Sequence, residues 1–127
     1  MAILTKTTAG LNLLRDSESG ANTSLITYFA IGTSGTSPTA GDTKLGAEVF
    51  RKKISTYVNG NTGELIVTGE LGGGDAVGVT IAEVGIFGGG TASSIKDSGV
   101  LIGRGLYSHP NKQNNETITF TFDGTIS

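Results

Sequence analysis

The sequence predicts a mainly β fold: an antiparallel β-sandwich or barrel-like domain of about six strands with one N-terminal helix. Three observations predict it. After Gly20 the apolar residues form short runs rich in β-branched and aromatic side chains, which suit a pleated, half-buried surface. Glycine is over-represented, with 21 copies against 2 prolines, and it clusters between those runs as turn chemistry. An Asn-Gly step, Asn59-Gly60, separates two of the runs, and both residue types tolerate positive φ in a hairpin.

The helix is expected near the start. Thr7 or Thr8 can cap it, because a threonine hydroxyl accepts from the free amides of the first turn. Leu4, Leu11 and Leu14 fall on one face, Gly10 weakens the helix, and Gly20 ends it. A helix this short must dock its leucines, and the expectation is burial of Leu11 and Leu14 on the sheet or a partner. Strands are expected at 25–31, 48–58, 64–71, 79–87, 100–107 and 117–122. The first is apolar on both faces and reads as central. The last, Thr117 to Phe122, alternates strictly and places Ile118, Phe120 and Phe122 on one face. The segments 32–43, 72–74 and 88–99 read as flexible glycine-rich loops, and 110–116 as a polar loop.

The 127 residues fit one domain, 1–127, with enough chain for a real core. At 36% hydrophobic and 16% charged residues the composition is not that of a disordered chain. A net charge of −2 lacks the basic footprint of a nucleic-acid binder, so no nucleic-acid partner is expected. The one basic cluster, Arg51-Lys52-Lys53, reads as a polar stretch leading into a strand rather than a phosphate or acidic-partner contact. With no cysteine, disulfides and thiolate metal sites are excluded. No apolar run reaches the ~20 residues of a membrane helix, and the first residues lack a signal peptide's apolar core. The expectation is a protein made in a cytoplasm, with no membrane partner.

Chemistry is sparse. His109 is the single histidine, and no nucleophile or orienting carboxylate is apparent beside it. Glu83 stands out because Ile81-Ala82 precede it and Val84-Gly85-Ile86-Phe87 follow. A carboxylate in such a run is a perturbed acid or, the reading preferred here, the partner of an arginine such as Arg104 or of backbone amides. Gly72-Gly73-Gly74 and Gly88-Gly89-Gly90 lack the Gly-Lys-Ser/Thr ending of a phosphate loop. A calcium site from Asp42 and loop carbonyls is a weak reading of the loop 32–43, since the Asp-x-Asp-x-Asp-Gly pattern is absent. No catalytic, cofactor-binding or metal-ligating residue is assigned, and no enzyme activity is expected.

The order of segments resembles a known group. The run Thr8-Ala9-Gly10-Leu11-Asn12-Leu13-Leu14-Arg15 resembles the opening helix of small phage tail proteins. So do Ile26-Thr27-Tyr28-Phe29-Ala30-Ile31-Gly32-Thr33, then Thr43-Lys44-Leu45-Gly46 and Glu48-Val49-Phe50-Arg51. Ala82-Glu83-Val84-Gly85-Ile86-Phe87 and Leu101-Ile102-Gly103-Arg104-Gly105-Leu106-Tyr107-Ser108 continue the likeness. Over nearly its whole length the chain resembles the N-terminal domain of phage tail-collar and tail-fibre proteins. The resemblance implies a structural virion component of the tail, baseplate or collar. Its implied partners are other virion proteins and further copies of itself, as a homo-oligomer. Such domains precede a fibre shaft, whereas this sequence stops at Ser127, which favours an adaptor onto which fibres or tail proteins dock. The alternatives are a capsid decoration or head-fibre protein and, in another class, a carbohydrate-binding module. The last is weakest, with no tryptophan and with Tyr57 and Tyr107 as the residues to watch.

Overall fold

The computed structural model describes residues 5–12, 26–59 and 64–125. Its strands are β1 (Thr5–Lys6), β2 (Ile26–Gly32), β3 (Glu48–Lys53), β4 (Thr56–Asn59), β5 (Glu64–Leu71), β6 (Ile81–Gly88), β7 (Val100–His109) and β8 (Ile118–Thr125). One short helix, α1, covers residues 8–12. The strands form a five-stranded sheet in the order β1-β7-β6-β2-β3 and a three-stranded sheet in the order β4-β5-β8, and every pairing is antiparallel. The mainly β, antiparallel architecture expected from the sequence is therefore present.

The two sheets share a core. Phe29 and Ile31 of β2, Ile81, Val84 and Ile86 of β6, Val67 and Leu71 of β5, and Ile118, Phe120 and Phe122 of β8 form one buried cluster. Alternation of the last strand puts its three apolar residues inward, as the pattern predicts. The Phe120 ring meets Phe29 at 5.9 Å and the edge of Tyr107 at 5.0 Å. Each such side chain removed from water contributes about 1.5–3 kcal/mol.

The expected strand 48–58 divides. The Ile54 amide still donates to the Thr27 carbonyl of the large sheet at 2.9 Å, and the Ser55 amide already donates to the Thr68 carbonyl of the small sheet at 2.8 Å. One residue step thus carries the chain across the sandwich, so β3 and β4 edge different sheets. A continuous β-prone run gives no local sign of such a switch. The hairpin β4–β5 forms as expected, with Asn59 opposite Leu65, while its turn, 60–63, lies outside the described residues.

β6 changes parity between Ile81 and Glu83. Ile81, Val84 and Ile86 all reach the shared core, while Glu83, Gly85 and Phe87 lie on the opposite, outer face of the large sheet. There Phe87, Ala30, Leu101 and Leu45 make a second, smaller core. A bulge, one extra residue in a strand, is the means by which a single strand serves both.

The helix docks differently from expectation. Thr7 caps it, accepting the Gly10 amide on Oγ1 at 2.9 Å and donating from the same hydroxyl to the Leu101 carbonyl. Gly10 lies flat on β7, where a Cβ would sit 2.8 Å from the Ile102 Cα. Close approach through glycine turns Leu11 outward, and at 52% exposure it does not pack on the sheet, the first of its two expected placements. Leu4, Leu14 and the expected stop at Gly20 lie outside the described residues.

Gly69 of β5 is the tightest point between the sheets, since a Cβ there would stand 2.4 Å from the buried Phe29 ring. Gly69→Ala is expected to cost about 1–3 kcal/mol by overpacking, measured as a lowered urea midpoint at unchanged slope.

Candidate functional site

Long loops cross the outer face and one end of the sandwich, and buried charges tie them down. The first tie is Glu83. Its side chain has no solvent exposure, so its ionised carboxylate requires donors. Oε2 accepts the Ser34 amide at 3.0 Å and the Ala47 amide at 2.8 Å. Oε1 accepts the Gly46 amide at 2.7 Å and the Arg104 Nε at 2.8 Å. Ser34 begins the loop 33–47 and Gly46-Ala47 end it, so one carboxylate fastens both ends of that loop to β6. Arg104 reaches on to the loop's middle, with Nη1 3.3 Å from Asp42 Oδ2. Asp42 in turn accepts the Thr39 amide and hydroxyl, each at 2.9 Å. Leu45, in the same loop, packs over Gly85, where a Cβ would come within 2.7 Å of its Cδ2. Burial opposes the charge of Glu83, yet Arg104 and the amides of Ala47, Gly46 and Ser34 together outweigh it and hold the pKa below the usual glutamate range.

The second tie is Arg51, at the sheet's edge. Its Nε and Nη2 grip Glu48 in a two-pronged pair at 2.7 and 2.8 Å, with both side chains at most 3% exposed. Nη1 donates to the carbonyls of Ser93 and Ser98 and the hydroxyl of Ser98, each at 3.0 Å. Glu48 Oε1 also accepts the Asp97 amide at 3.2 Å. The guanidinium lies 4.3 Å over the Phe87 ring. Together these bonds hold the loop 89–99 over β3. Within that loop Gly99 adopts φ +84, and an added Cβ would meet the Ala92 Cβ at 2.7 Å, so glycine is required there on both counts.

The third tie is Lys112, a fully buried lysine. Its Nζ donates to the carbonyls of Gly72 at 2.9 Å, Gln113 at 3.2 Å and Gly73 at 3.4 Å. Its backbone bonds Val79 and Gly78, and Asn115 bonds Gly73, so the two longer connections between sheets, 72–80 and 110–117, run against each other. Lys52 joins them through Asp75 at 2.6 Å.

The loops read from composition as flexible are thus held by their own chain. The expected Glu83–Arg104 pair is present, but the amide cradle is the larger part of that site. Arg51 reads in the sequence only as part of a polar basic stretch, and Lys112, between Asn111 and Gln113, is not singled out there. Asp42 serves as a turn and ion-pair residue; among the described residues no cluster of His, Asp or Glu is placed to hold a metal ion. His109 stacks on Tyr107 with its Nε2 3.0 Å from Glu116, at the end of β7. Tyr107 belongs to the packing around Phe120, and Tyr57 is 46% exposed with its hydroxyl donating to the Ile26 carbonyl. Among the described residues no helix is long and apolar enough to cross a membrane.

The chain matches no family model, no curated protein and no solved structure.

A carboxylate with a depressed folded-state pKa stabilises above its unfolded pKa, and that contribution vanishes as pH falls through the folded value. Glu83 and Asp42 are both held low, Asp42 chiefly by the Thr39 amide. Stability is therefore expected to fall below about pH 4. Glu83→Gln is expected to cost about 3–5 kcal/mol at neutral pH, because Arg104 is left buried without its partner. It is also expected to flatten the acid limb of a urea-midpoint series. Lys112→Met is expected to cost about 1–3 kcal/mol through stranded carbonyls, with amide hydrogen exchange accelerated at Gly78 and Asn115 before the rest of the chain.

Proposed function

We propose that the chain is a non-enzymatic structural component of a phage virion, an adaptor of the tail, baseplate or collar that attaches fibres or neighbouring tail proteins. The observation that carries the reading is a convergence in space. The separate segments that resemble tail-collar proteins contain the residues that tie down the outer loops. Gly32 comes from the second of those segments and Leu45-Gly46 from the third. Glu48 and Arg51 come from the fourth, Glu83 and Phe87 from the fifth, and Leu101 and Arg104 from the last. An ordered set of short likenesses gains weight when its members meet in one constellation.

The chemistry of that constellation favours a scaffold. Glu83, the carboxylate within an apolar strand, is committed to four internal donors, and Arg51 to internal acceptors. Such groups fix loop shape. What the surface then offers is apolar area, at Val49, Tyr57, Val77, Ile95 and Leu106, together with sheet edges. A small net charge of −2 lets many copies pack closely, which suits a homo-oligomer resident in the virion after synthesis in the host cytoplasm.

The test is composition of particles released by the strain that encodes the chain. Mass spectrometry of sedimented particles should find the protein at a fixed copy number, and antibody labelling should mark the tail. Labelling over the shell would transfer the protein to a decoration role, and absence from the particles would sink the virion reading.

A further inference from the structure

The edge of the large sheet at β3 combines three features that together define a strand-binding groove. First, among the described residues its backbone is unpaired on one side. β3 ends the order β1-β7-β6-β2-β3. The Ile54 amide bonds Thr27, Lys52 stands opposite Phe29, and Phe50 stands opposite Ile31. In an antiparallel ladder alternate residues face the partner, so Lys52 and Phe50 face β2 while Arg51 and Lys53 turn their N–H and C=O groups outward.

Second, the edge has a wall. The loop 89–99, held by Arg51 and Glu48, stands beside it and leaves a shallow groove of about 250 Å³ lined by Glu48, Val49, Phe50, Arg51, Ser94 and Lys96. Val49 on the strand is 47% exposed and Ile95 on the wall 70% exposed. A wall built on a buried ion pair is fixed before any ligand arrives, which reduces the ordering cost of binding.

Third, the charges left over are basic on balance, two lysines against one aspartate. Edge strands are commonly guarded by lysines, and β3 carries Arg51, Lys52 and Lys53. Two of these are engaged elsewhere, Arg51 with Glu48 and the loop, and Lys52 with Asp75. Glu48 is neutralised by Arg51. Exposed Lys53 and Lys96 remain, against the half-buried Asp97 of the same loop.

We propose that the β3 edge accepts an extended segment of another virion protein as an added strand. Its apolar residues would rest on Val49 and Ile95, and its acidic residues would meet Lys53 and Lys96. The proposal rests on the adaptor reading and names where docking occurs. Main-chain bonds from Arg51 and Lys53 supply affinity, and the two lysines select an acidic sequence over a basic one.

The test uses the full chain, labelled with nitrogen-15, and the peptide acetyl-Val-Glu-Val-Glu-Val-Glu-Val-amide. The Arg51 and Lys53 amides should gain protection from hydrogen exchange on titration. The peptide with lysine at each glutamate position should bind at least about tenfold more weakly. The double variant Lys53→Glu, Lys96→Glu should keep the wild-type melting temperature and lose the preference. Equal binding of both peptides, or unprotected Arg51 and Lys53 amides at millimolar acidic peptide, overturns the proposal. Protection that rises with protein concentration in the absence of peptide, with a matching rise in mass by light scattering, overturns it in favour of a second copy of the chain. Particle incorporation separates this result from the adaptor reading. A wild-type protein present in particles but blind to the peptide loses only the β3 assignment. A wild-type protein missing from particles sinks the adaptor reading whatever the peptide does.

Discussion

Glu83 carries its charge where water does not reach, and much of the outer face is arranged around that fact. An uncompensated carboxylate in the interior costs several kcal/mol, so it has to be surrounded by donors or protonated. Here three backbone amides and one guanidinium surround it. Three of those donors come from the two ends of one loop, so satisfying the charge and closing the loop are the same event. The loop then lays Leu45 over Ala30, Phe87 and Leu101, which gives the large sheet a second apolar layer. Glycine at 32 and 85 makes room, since a Cβ on Gly32 would fall 2.4 Å from Glu83 Oε2.

The same principle recurs twice with opposite charge. Arg51 gathers carbonyls of the loop 89–99, and Lys112 gathers carbonyls of the two longer connections between sheets. Acceptors in glycine- and serine-rich loops have no ladder to join, and unsatisfied buried carbonyls are costly. A cation with several N–H groups meets several such acceptors at once. Loops with little apolar content thereby acquire fixed shape without a disulfide, an option closed to a chain with no cysteine. Electrostatic ties and apolar packing are coupled at Arg51, whose guanidinium both binds the loop and covers Phe87.

This arrangement bears on assembly. The sandwich is lopsided, with five strands facing three, and loops fastened by charge cover part of the excess face. The chain's passage from one sheet to the other at Ile54-Ser55 leaves β3 and β4 as consecutive edges on one flank. A fastened loop next to a strand that is unpaired among the described residues gives that flank relief as well as hydrogen-bonding capacity.

Sequence alone determined the antiparallel β class, the position of five of the strands to within a few residues, a threonine cap at Thr7 or Thr8 and the inward face Ile118-Phe120-Phe122. These follow from period, β-branching and turn chemistry, which are local properties of the chain. The Glu83–Arg104 pair was also legible, because a carboxylate within an apolar run has to find a partner. Only the tertiary structure decided the division of 48–58 between two sheets, the bulge beside Glu83 and the outward turn of Leu11. It alone decided the roles of Arg51 and Lys112. Each of these depends on what lies opposite in space: a Thr27 or Thr68 carbonyl for the strand switch, the β7 backbone beneath Gly10, and loop carbonyls for the two cations. Periodicity reports which face of an element is apolar, and it carries no record of which distant backbone groups that face will meet.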